Sequence, residues 1–443
     1  MSKTFRPWKI DEPLLLPPVV QEFVAKDHLA RLVLNLVRED IDLAAISGSY
    51  AGERGQPPFD PVMMTVLLLY SYCCGIYSSR RIAKACRERV DFMSIVGFDA
   101  PDFRTISEFR RRHSKALSAL FQQVLQLCET AGLVKLGHVA LDGTKIKANA
   151  SKHKAMSYER MKKREAELRA EVDRWLVAAE AADAEEDKLY GQKRGDEMPD
   201  WMADKQRRLA KIREAKAELE AEAKAAAAEE TRRGEGVEKN RIAEGRKKGG
   251  KTPTPPKQEP EGKTQRNFTD PESRVLLTKD GYIQGYNAQA AVDAEAQIIV
   301  AHGLTQSMSD QHQLVALVDG INKNLGRKPK EASADAGYCS EVNLGALANR
   351  GIGAYIATGR AKHPAQAERK CGGPLTQAMR NKLKRAGWRS RYRLRKQVVE
   401  PVFGQIKQAR GFRQFLLRGF DKVNAEWAMI CTAHNLSKLA RAN

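Results

Sequence analysis

The chain has 443 residues and a formal net charge of +21, which gives it enough length for two or three domains with a buried core. It contains no apolar run long enough to span a bilayer and no secretory signal, so we expect neither membrane insertion nor export. The basic charge is concentrated, since thirteen Lys or Arg residues but a single acid, Glu400, lie between Arg380 and Arg418. A stretch this basic predicts a nucleic acid partner and a cytoplasmic location rather than a lipid surface.

The cysteines give no sign of a disulfide-bonded or zinc-binding scaffold. Seven Cys residues form no C-x-x-C pair, and an odd number leaves at least one outside any disulfide framework. We therefore expect the reduced thiols of a cytoplasmic protein. The seven are Cys73, Cys74, Cys86, Cys128, Cys339, Cys371 and Cys431.

Residues 1–135 are predicted to be helical, with apolar side chains at helical spacing in Val62–Tyr72 and again in Ile82–Cys86. The break between them, Gly75–Ser79, supplies a Gly to end one helix and a Ser to begin the next. A helix, a tight turn and a basic helix form the outline of a helix-turn-helix DNA-binding unit. An ordinary helical hairpin with solvated basic residues fits the local pattern slightly better, but the net charge favours DNA. The predicted DNA contacts of this part are Arg80, Arg81 and Lys84.

Strand-like segments with helices between them follow, a pattern typical of an α/β layer over residues 136–151 and 269–443. The first predicted strand ends at Asp142 and the fourth ends at Asp335. The second and third strands are separated by a short turn and are predicted to form a hairpin. The predicted elements are strands over 139–141, 281–292, 297–302, 332–334 and 354–357 and a helix over 310–325.

Residues 152–268 interrupt this layer and are interpreted as an insertion. From about 157 to 230 the composition is dominated by Ala, Glu, Lys and Arg, which is typical of a helical hairpin, with a break at Gly195–Pro199. Its apolar stripe is narrow, so it can pair with itself or with a second chain. The stripe consists of Met161, Leu168, Trp175, Leu209, Ile212, Leu219, Ala223 and Ala226. Gly234–Lys263, rich in Gly, Pro and Lys, is predicted to be a flexible linker.

Three carboxylates are candidates for a metal site. Asp142 and Asp335 each close a short apolar strand and are followed within two residues by a Gly, at the edge of an α/β sheet where ligand groups gather. Asp-Gly is also common in turns, so each aspartate taken alone is more typical of local structure. Glu400 stands among thirteen cations, where a solvated acid is not expected. If the three converge, they form an oxygen-rich site for Mg²⁺ or Mn²⁺, and two such ions support in-line phosphoryl transfer.

Five short motifs carry a resemblance to a known family: Gly75–Arg81, Thr105–Arg110, Asp142–Thr144, Asp335–Tyr338 and Val399–Phe403. In this order they resemble a DDE transposase of a bacterial insertion sequence, from the group with a helical N-terminal transposase domain. The resemblance covers most of the chain. It implies an α+β protein with a ribonuclease H-like catalytic domain, interrupted here by the helical hairpin, that acts in association with the bacterial nucleoid.

The resemblance also implies a role for each acid. Asp142 would lie on the first strand, Asp335 at the end of a later strand and Glu400 on a C-terminal helix, together holding two Mg²⁺ or Mn²⁺ ions. Relatives place an Arg four residues before the Glu, but Arg395 lies five residues before Glu400 and Lys396 holds the usual position. Either residue is therefore a candidate for the phosphate contact. The implied DNA contacts of this part are Tyr392, Arg395, Lys396, Lys407 and Arg410.

The proline after Glu400 constrains the helix that carries this acid. Because the residue before a proline is pushed out of the helical region, we expect Glu400 at a helix start or a kink rather than in mid-helix. A helix N-terminus attracts anions, which would orient the carboxylate or a scissile phosphate. The helix would then present Lys407 and Arg410 to DNA.

The sequence therefore predicts an enzyme that binds the double-stranded ends of its own element, hydrolyses a phosphodiester to free a 3′-hydroxyl, and uses that hydroxyl to attack target DNA. Since two ends are joined in one event, we expect a homodimer or a larger assembly on DNA, with the insertion as a candidate contact. Three alternatives stay open. They are a nuclease without strand transfer, a DNA-binding or scaffolding protein whose acids are only caps and turns, and a decayed, inactive transposase.

Overall fold

The computed structural model describes residues 19–50, 57–190, 200–243, 255–278, 280–359 and 373–442. The N-terminal part is helical, as predicted. Its helices are α1 (Leu29–Glu39), α2 (Ala44–Ser47), α3 (Pro61–Cys73), α4 (Ser79–Glu88), α5 (Val90–Val96), α6 (Phe103–Arg112) and α7 (Ser114–Thr130). Every residue of α3 from Met64 to Cys73 is buried, because this segment is apolar on all of its faces. Asp60 caps the helix by accepting from the N–H of Val62 at 2.6 Å.

The predicted break between α3 and α4 is a tight turn that also contacts the C-terminal part of the chain. Gly75 has a φ of +73°, a region that favours glycine, and a Cβ there would lie 2.7 Å from the carbonyl oxygen of Arg410. The hydroxyl of Tyr77 donates to the same carbonyl at 3.1 Å. Arg110 is buried behind the turn and donates to the carbonyl of Tyr77 at 2.8 Å and to Ser79 Oγ at 3.3 Å. The turn therefore fixes the N-terminal helices against the segment around Arg410.

Gly75→Ala should destabilise the protein by more than its backbone conformation alone predicts. Gly97→Ala is the matched control, since Gly97 has a φ of +59° but nothing lies within 4 Å of a Cβ there. We expect the control to lose about 1 kcal/mol and Gly75→Ala to lose about 1–3 kcal/mol more, because the methyl group must displace the Arg410 backbone. Calorimetric unfolding of both variants measures the difference. Equal losses would show that the contact with Arg410 is not constrained.

The strands form one mixed sheet and one small antiparallel pair. Strand β1 lies in the middle of the main sheet, antiparallel to β5 and parallel to β7. Strand β8 continues the sheet beyond β7, while β4 and β6 pair with different parts of β5. The strands are β1 (His138–Lys147), β2 (Ala155–Ser157), β3 (Gln265–Asn267), β4 (Arg274–Thr278), β5 (Gly281–Asp293), β6 (Ile299–Thr305), β7 (Glu331–Ala334) and β8 (Gly353–Ile356). This is the predicted ribonuclease H-like layer, and the β5–β6 hairpin and the strand before Asp335 are confirmed.

One strand differs from its prediction. Asp142 does not close β1, because the strand continues through Gly143 and Thr144 to Lys147 and stays paired with β5 along that length. The Asp142-Gly143 pair therefore lies within a strand rather than in a turn. The prediction that the strand ends at Asp142 was wrong. Asp and Gly are typical turn residues in isolation, but the neighbouring strand β5 supplies hydrogen-bonding partners that keep the backbone extended.

The insertion consists of two long helices above the small β2–β3 sheet. They are α8 (Tyr158–Tyr190) and α9 (Asp200–Ala243), the hairpin that the composition predicts. The apolar stripe pairs with itself in the described part of the hairpin. Its packed residues are Tyr158, Met161, Leu168, Leu209, Ile212, Ala215 and Leu219. The predicted break at Gly195–Pro199 and the side chain of Trp175 lie outside the described residues.

The predicted linker is partly helical. Helix α9 continues through Gly234 and ends at Ala243, with an ion pair between Glu238 and Arg241 in its last turns. Each glycine costs a helix only about 1 kcal/mol, so the long helix can continue through both Gly234 and Gly236. Residues 244–254 of the predicted linker lie outside the described residues.

The remaining helices surround the main sheet. They are α10 (Gln313–Leu325), α11 (Glu341–Asn349), α12 (Pro374–Ala386), α13 (Leu394–Gly404) and α14 (Phe420–Leu439). Helix α14 joins the sheet to the N-terminal helices. Asn435 exchanges hydrogen bonds of 2.9 Å with the backbone of Ile299 in β6, and the thiol of Cys73 in α3 donates to the carbonyl of Ala433 at 3.4 Å. One hydrophobic core therefore runs from the N-terminal helices into the α/β layer.

Two further observations bear on the chain as a whole. Among the helices that the structure describes, none combines the length and the apolar composition needed to cross a bilayer. The cysteines in the described ranges are free thiols, and most are buried. Cys371 lies outside those ranges.

Candidate active site

Asp142 and Glu400 meet at the side chain of Arg395. Arg395 donates from Nη1 to Asp142 Oδ2 at 2.7 Å and from Nη2 to Glu400 Oε1 at 2.9 Å. Asp142 comes from the central strand β1, whereas Arg395 and Glu400 both lie on α13. One guanidinium therefore links two acids that the sequence singles out, and both of them are accessible from the same surface.

Asp335 lies beside Asp142 at the end of the neighbouring strand. Strands β1 and β7 run parallel, and their pairing ends at Ala140 and Ser333, two residues before each aspartate. Asp335 then accepts from the N–H of Gly337 at 2.8 Å and caps the short 3-10 turn that follows. Asp335 can therefore cap the turn and also take part in a site, because the cap uses only one of its two carboxylate oxygens.

The charge balance around Asp142 is unusual. Burial is the largest cause that raises the pKa of Asp142 to about 7, Arg395 acts against it, and the negative charges of Asp335 and Asp310 raise it further. The side chain of Asp142 keeps only 16% of its surface exposed. A site with more carboxylates than nearby cations favours an additional positive charge.

Asp310 is a fourth acid in this group, and its sequence context predicts only the start of a helix. That helix begins later, at Gln313, and Asp310 precedes it in a loop after β6. Its Oδ1 accepts from Asn287 Nδ2 and from Gln289 Nε2, both at 2.7 Å. The available signal was the same one that identified Asp335, an acid shortly after a strand, but no Gly follows Asp310.

The buried side-chain amide of Gln289 lies between Asp310, Tyr338 and the strand of Asp142. Gln289 on β5 lies opposite Gly143 on β1, and its side chain contacts Asp310, Asn287 and the hydroxyl of Tyr338. Tyr338 donates its hydroxyl to Gln289 Oε1 and is fully buried just after Asp335. A Cβ at Gly143 would lie 2.3 Å from Gln289 Nε2 and 2.6 Å from Asp310 Oδ1. Glycine at this position lets the network come close to the strand of Asp142.

The donor set suits a hard divalent cation. Carboxylate oxygens are the ligands that Mg²⁺ and Mn²⁺ prefer, and Arg395 shows that a positive group between Asp142 and Glu400 is held by both. Within the part of the chain that the structure describes, no three His, Cys, Asp or Glu side chains are grouped closely enough to hold a metal ion. The carboxylates fit such an ion by their chemistry and would have to approach one another to bind it.

Family comparisons cover both parts of the chain. Residues 18–112 match the family described as Transposase domain (DUF772), and residues 263–436 match the Transposase DDE domain. The chain belongs to the insertion-sequence DDE transposases. A search of curated proteins and a search of solved structures each find no match. The DDE match contains Asp335 and Glu400 but begins at residue 263, near the end of the insertion, so the place of Asp142 beside them in this transposase rests on the geometry of the sheet.

The helix that carries Glu400 differs from its prediction. Glu400 lies inside α13, which begins at Leu394, and Pro401 is accommodated within the helix. A proline cannot donate to the carbonyl four residues before it, here that of Gln397. The side chain of Gln297 donates to this carbonyl at 2.8 Å and replaces the missing hydrogen bond. The expectation of a helix start at Glu400 was wrong, since the helix begins six residues earlier and a distant side chain compensates for the proline.

The predicted DNA-contacting residues of the C-terminal part lie in different surroundings. Lys407, in the π-helical turn after α13, donates to Thr144 Oγ1 at 2.6 Å and so lies against the strand of Asp142. Tyr392 is half-buried and Lys396 is exposed. Of the two candidates for the position near Glu400, the structure places Arg395 at the acids. Arg410 lies apart from them, beside Cys73 and Tyr77, where burial lowers the pKa of its guanidinium.

The basic side chains of α4 form a separate surface. Arg80, Arg81 and Lys84 are all exposed on this helix. Arg80 lies over the ring of Phe103 at 5.1 Å, and Lys84 forms an exposed ion pair with Glu88 at 3.6 Å. The structure does not bring these residues together with the acids, and their contact with DNA stays a prediction.

Gly143→Ala should impair the transposase at its site. The added methyl group would displace Gln289 and Asp310, and a shift of about 1 Å in catalytic groups can lower a rate about 100-fold. Gly137→Ala, just before the same strand, is the matched control because nothing lies within 4 Å of a Cβ there. Cleavage assays on both variants, with thermal unfolding to confirm folding, make the comparison. Full activity in Gly143→Ala would mean that the Gln289 network does not position the acids.

Proposed function

We propose that this transposase binds the ends of its own element, hydrolyses a phosphodiester at each end to free a 3′-hydroxyl, and uses that hydroxyl to attack target DNA. The observation that carries the proposal is the meeting of Asp142 and Glu400 at Arg395, with Asp335 beside Asp142. Acids that serve only as caps or turns have no reason to converge from distant segments. The family match supports an enzyme that acts on DNA.

The acids and the cations have separate roles in the proposal. Asp142, Asp335 and Glu400 would hold two Mg²⁺ or Mn²⁺ ions, which when bound supply the positive charge that activates the attacking oxygen and stabilises the leaving one. Arg395 orients Asp142 and Glu400 and offers a guanidinium to a phosphate brought to them. Lys407 places a second cation on the strand of Asp142. Tyr392 and Lys396 would contact the phosphodiester backbone of the bound DNA on either side of Arg395.

Joining two ends in one event requires at least two active sites, so we infer a homodimer or a larger assembly on DNA. The apolar stripe of the insertion is used within one chain between Tyr158 and Leu219, which leaves other surfaces of the hairpin for such a contact. Recognition of the element ends is assigned to α4, through Arg80, Arg81 and Lys84, because these side chains are exposed on a helix of the matched N-terminal domain.

Glu400→Gln should abolish catalysis without abolishing DNA binding. The substitution keeps the size of the side chain and removes its charge, and we expect cleavage and strand transfer to fall at least about 100-fold. Glu295→Gln, an exposed position in the turn between β5 and β6, is the matched control and should keep full activity. The assay uses a labelled duplex with the element's own flanking ends, with Mg²⁺ or with EDTA, and resolves nicked and joined products on a gel.

The products separate the alternatives. Metal-dependent nicking without joined product in the parent favours a nuclease. Equal activity of the parent and Glu400→Gln contradicts the assignment of Glu400. A folded parent that binds DNA but gives no cleavage with Mg²⁺ or Mn²⁺ favours a non-catalytic DNA-binding protein or a decayed transposase.

Cation binding should depend on pH through Asp142. Burial, opposed by Arg395 and reinforced by Asp335, raises the pKa of Asp142 to about 7, and a protonated carboxyl group does not hold a cation. The increase in Tm caused by Mn²⁺ should therefore grow from pH 6 to pH 8 in the parent and be smaller and flatter in Asp142→Asn. Thermal unfolding with and without Mn²⁺ at three pH values measures it. Identical shifts in both proteins would exclude Asp142 as a ligand.

A further inference from the structure

A basic pocket lies near the start of the helical insertion, here called the foot of the insertion, and does not include the acids. It has a volume of about 390 Å³ and lies between the turn before β2, the first turn of α8 and the part of α9 around Arg208 and Ile212. Its cationic side chains are Lys154, Arg160, Arg208 and Lys211, with His153 beside them. No acid is among the described residues that line it. Cations from three separate elements therefore converge on one concave surface.

These cations differ from their neighbours on the same helices in having no ion-pair partner. Arg213 and Lys216 both bind Glu165, at 3.1 and 2.7 Å, one or two turns further along α9. Within the described ranges, no salt bridge or side-chain hydrogen bond involves Lys154, Arg160, Arg208 or Lys211, and all four are exposed. Glu165 is thus used by other cations, and the positive charge of the pocket is left for a ligand from outside.

The floor of the pocket is apolar, which favours a ligand that has an organic group as well as a negative charge. Ile212 is buried, and Met156 and Phe268 are partly buried beneath the basic rim. Exposed cations around an apolar floor suit a phosphate with an organic group attached, because the phosphate oxygens meet the rim and the attached sugar covers the floor. A polyphosphodiester has both parts at a regular repeat.

The pocket is connected to the candidate active site by fixed backbone contacts. Arg418 donates to the carbonyl of Asn149 at 2.8 Å, and Asn149 donates to the carbonyl of Leu416 at 2.8 Å, which fixes the chain just after β1. Asn267 on β3 donates to the carbonyl of Ser151 at 2.7 Å. The length of chain between Asp142 and Lys154 limits their separation to about 40 Å. About twelve base pairs of B-DNA span that distance, so one duplex can reach both places.

We propose that this pocket binds the phosphodiester backbone of the same DNA duplex that is held at the acids, independently of its base sequence. The inference deepens the proposed function, on which it rests, by assigning the foot of the insertion as a second DNA contact. Charge and continuity with the site both favour DNA over another anion.

The test compares two variants that remove the same charge from different places. The pocket variant carries Arg160→Gln, Arg208→Gln and Lys211→Gln. The control carries Lys224→Gln, Arg232→Gln and Arg233→Gln, which are exposed further along α9. Both lose three positive charges, so a general effect of net charge is equal in the two. Fluorescence anisotropy then gives Kd for a labelled duplex of about thirty base pairs at several salt concentrations, once with an element end and once with an unrelated sequence.

We expect the pocket variant to bind both duplexes several-fold more weakly than the control. The dependence of log Kd on log salt should become less steep by about 2 to 3, since each lost phosphate contact removes about 0.9. The control should lose less than about 1. Thermal unfolding confirms that both variants fold, and the single change Arg208→Gln should reduce the slope by about 1.

The outcomes separate this inference from the proposed function. Equal Kd and equal slopes in the pocket variant and the control overturn the pocket, even if the parent prefers and cleaves element ends. A reduced slope in the pocket variant supports it, even if the parent shows no preference for element ends or does not join them. A parent that binds neither duplex overturns both.

Discussion

Arg395 and Asp142 are 253 residues apart in the chain, yet their side chains meet at 2.7 Å. The same guanidinium holds Glu400, so it fixes the distance between a central strand and a C-terminal helix. An acid largely buried within a central strand of a sheet is costly unless a cation or hydrogen bonds balance it, and Arg395 supplies part of that balance for Asp142. The position of α13, and with it the basic surface that follows, depends on this contact.

Two other adaptations let the acids approach. Gly143 leaves room for Gln289 and Asp310 against β1, where any larger residue would collide with them. Gln297 satisfies the carbonyl that Pro401 leaves free, and Glu400 lies within the helix. Both contacts join segments that are far apart in sequence. Each one affects the position of an acid by holding the backbone next to it. The core that includes α14 then joins this arrangement to the N-terminal helices.

The insertion adds a surface without disturbing the site. Its apolar stripe is closed by its own two helices, and its acids pair with cations both inside the hairpin, as Glu165 does with Arg213, and outside it, as Glu222 does with Arg274. What remains at its foot is a group of unpaired cations next to the chain that leaves β1. A hairpin of this kind can be inserted between two strands because its ends are held together by the small β2–β3 sheet. The acids and the cations of the pocket are thus connected through β1 and the segment of chain that follows it.

The sequence by itself determined the helical N-terminal part, the mixed α/β layer, the hairpin insertion, and the three acids as candidates, because hydrophobic periodicity, composition and an isolated acid in a basic stretch are local signals. It could not place Asp142 within a strand, keep Glu400 in mid-helix, or identify Asp310. Those features depend on β5 as a partner for β1, on Gln297 and on the amides of Asn287 and Gln289. Only the tertiary structure decides them, because a hydrogen bond between distant segments can reverse what a dipeptide prefers on its own.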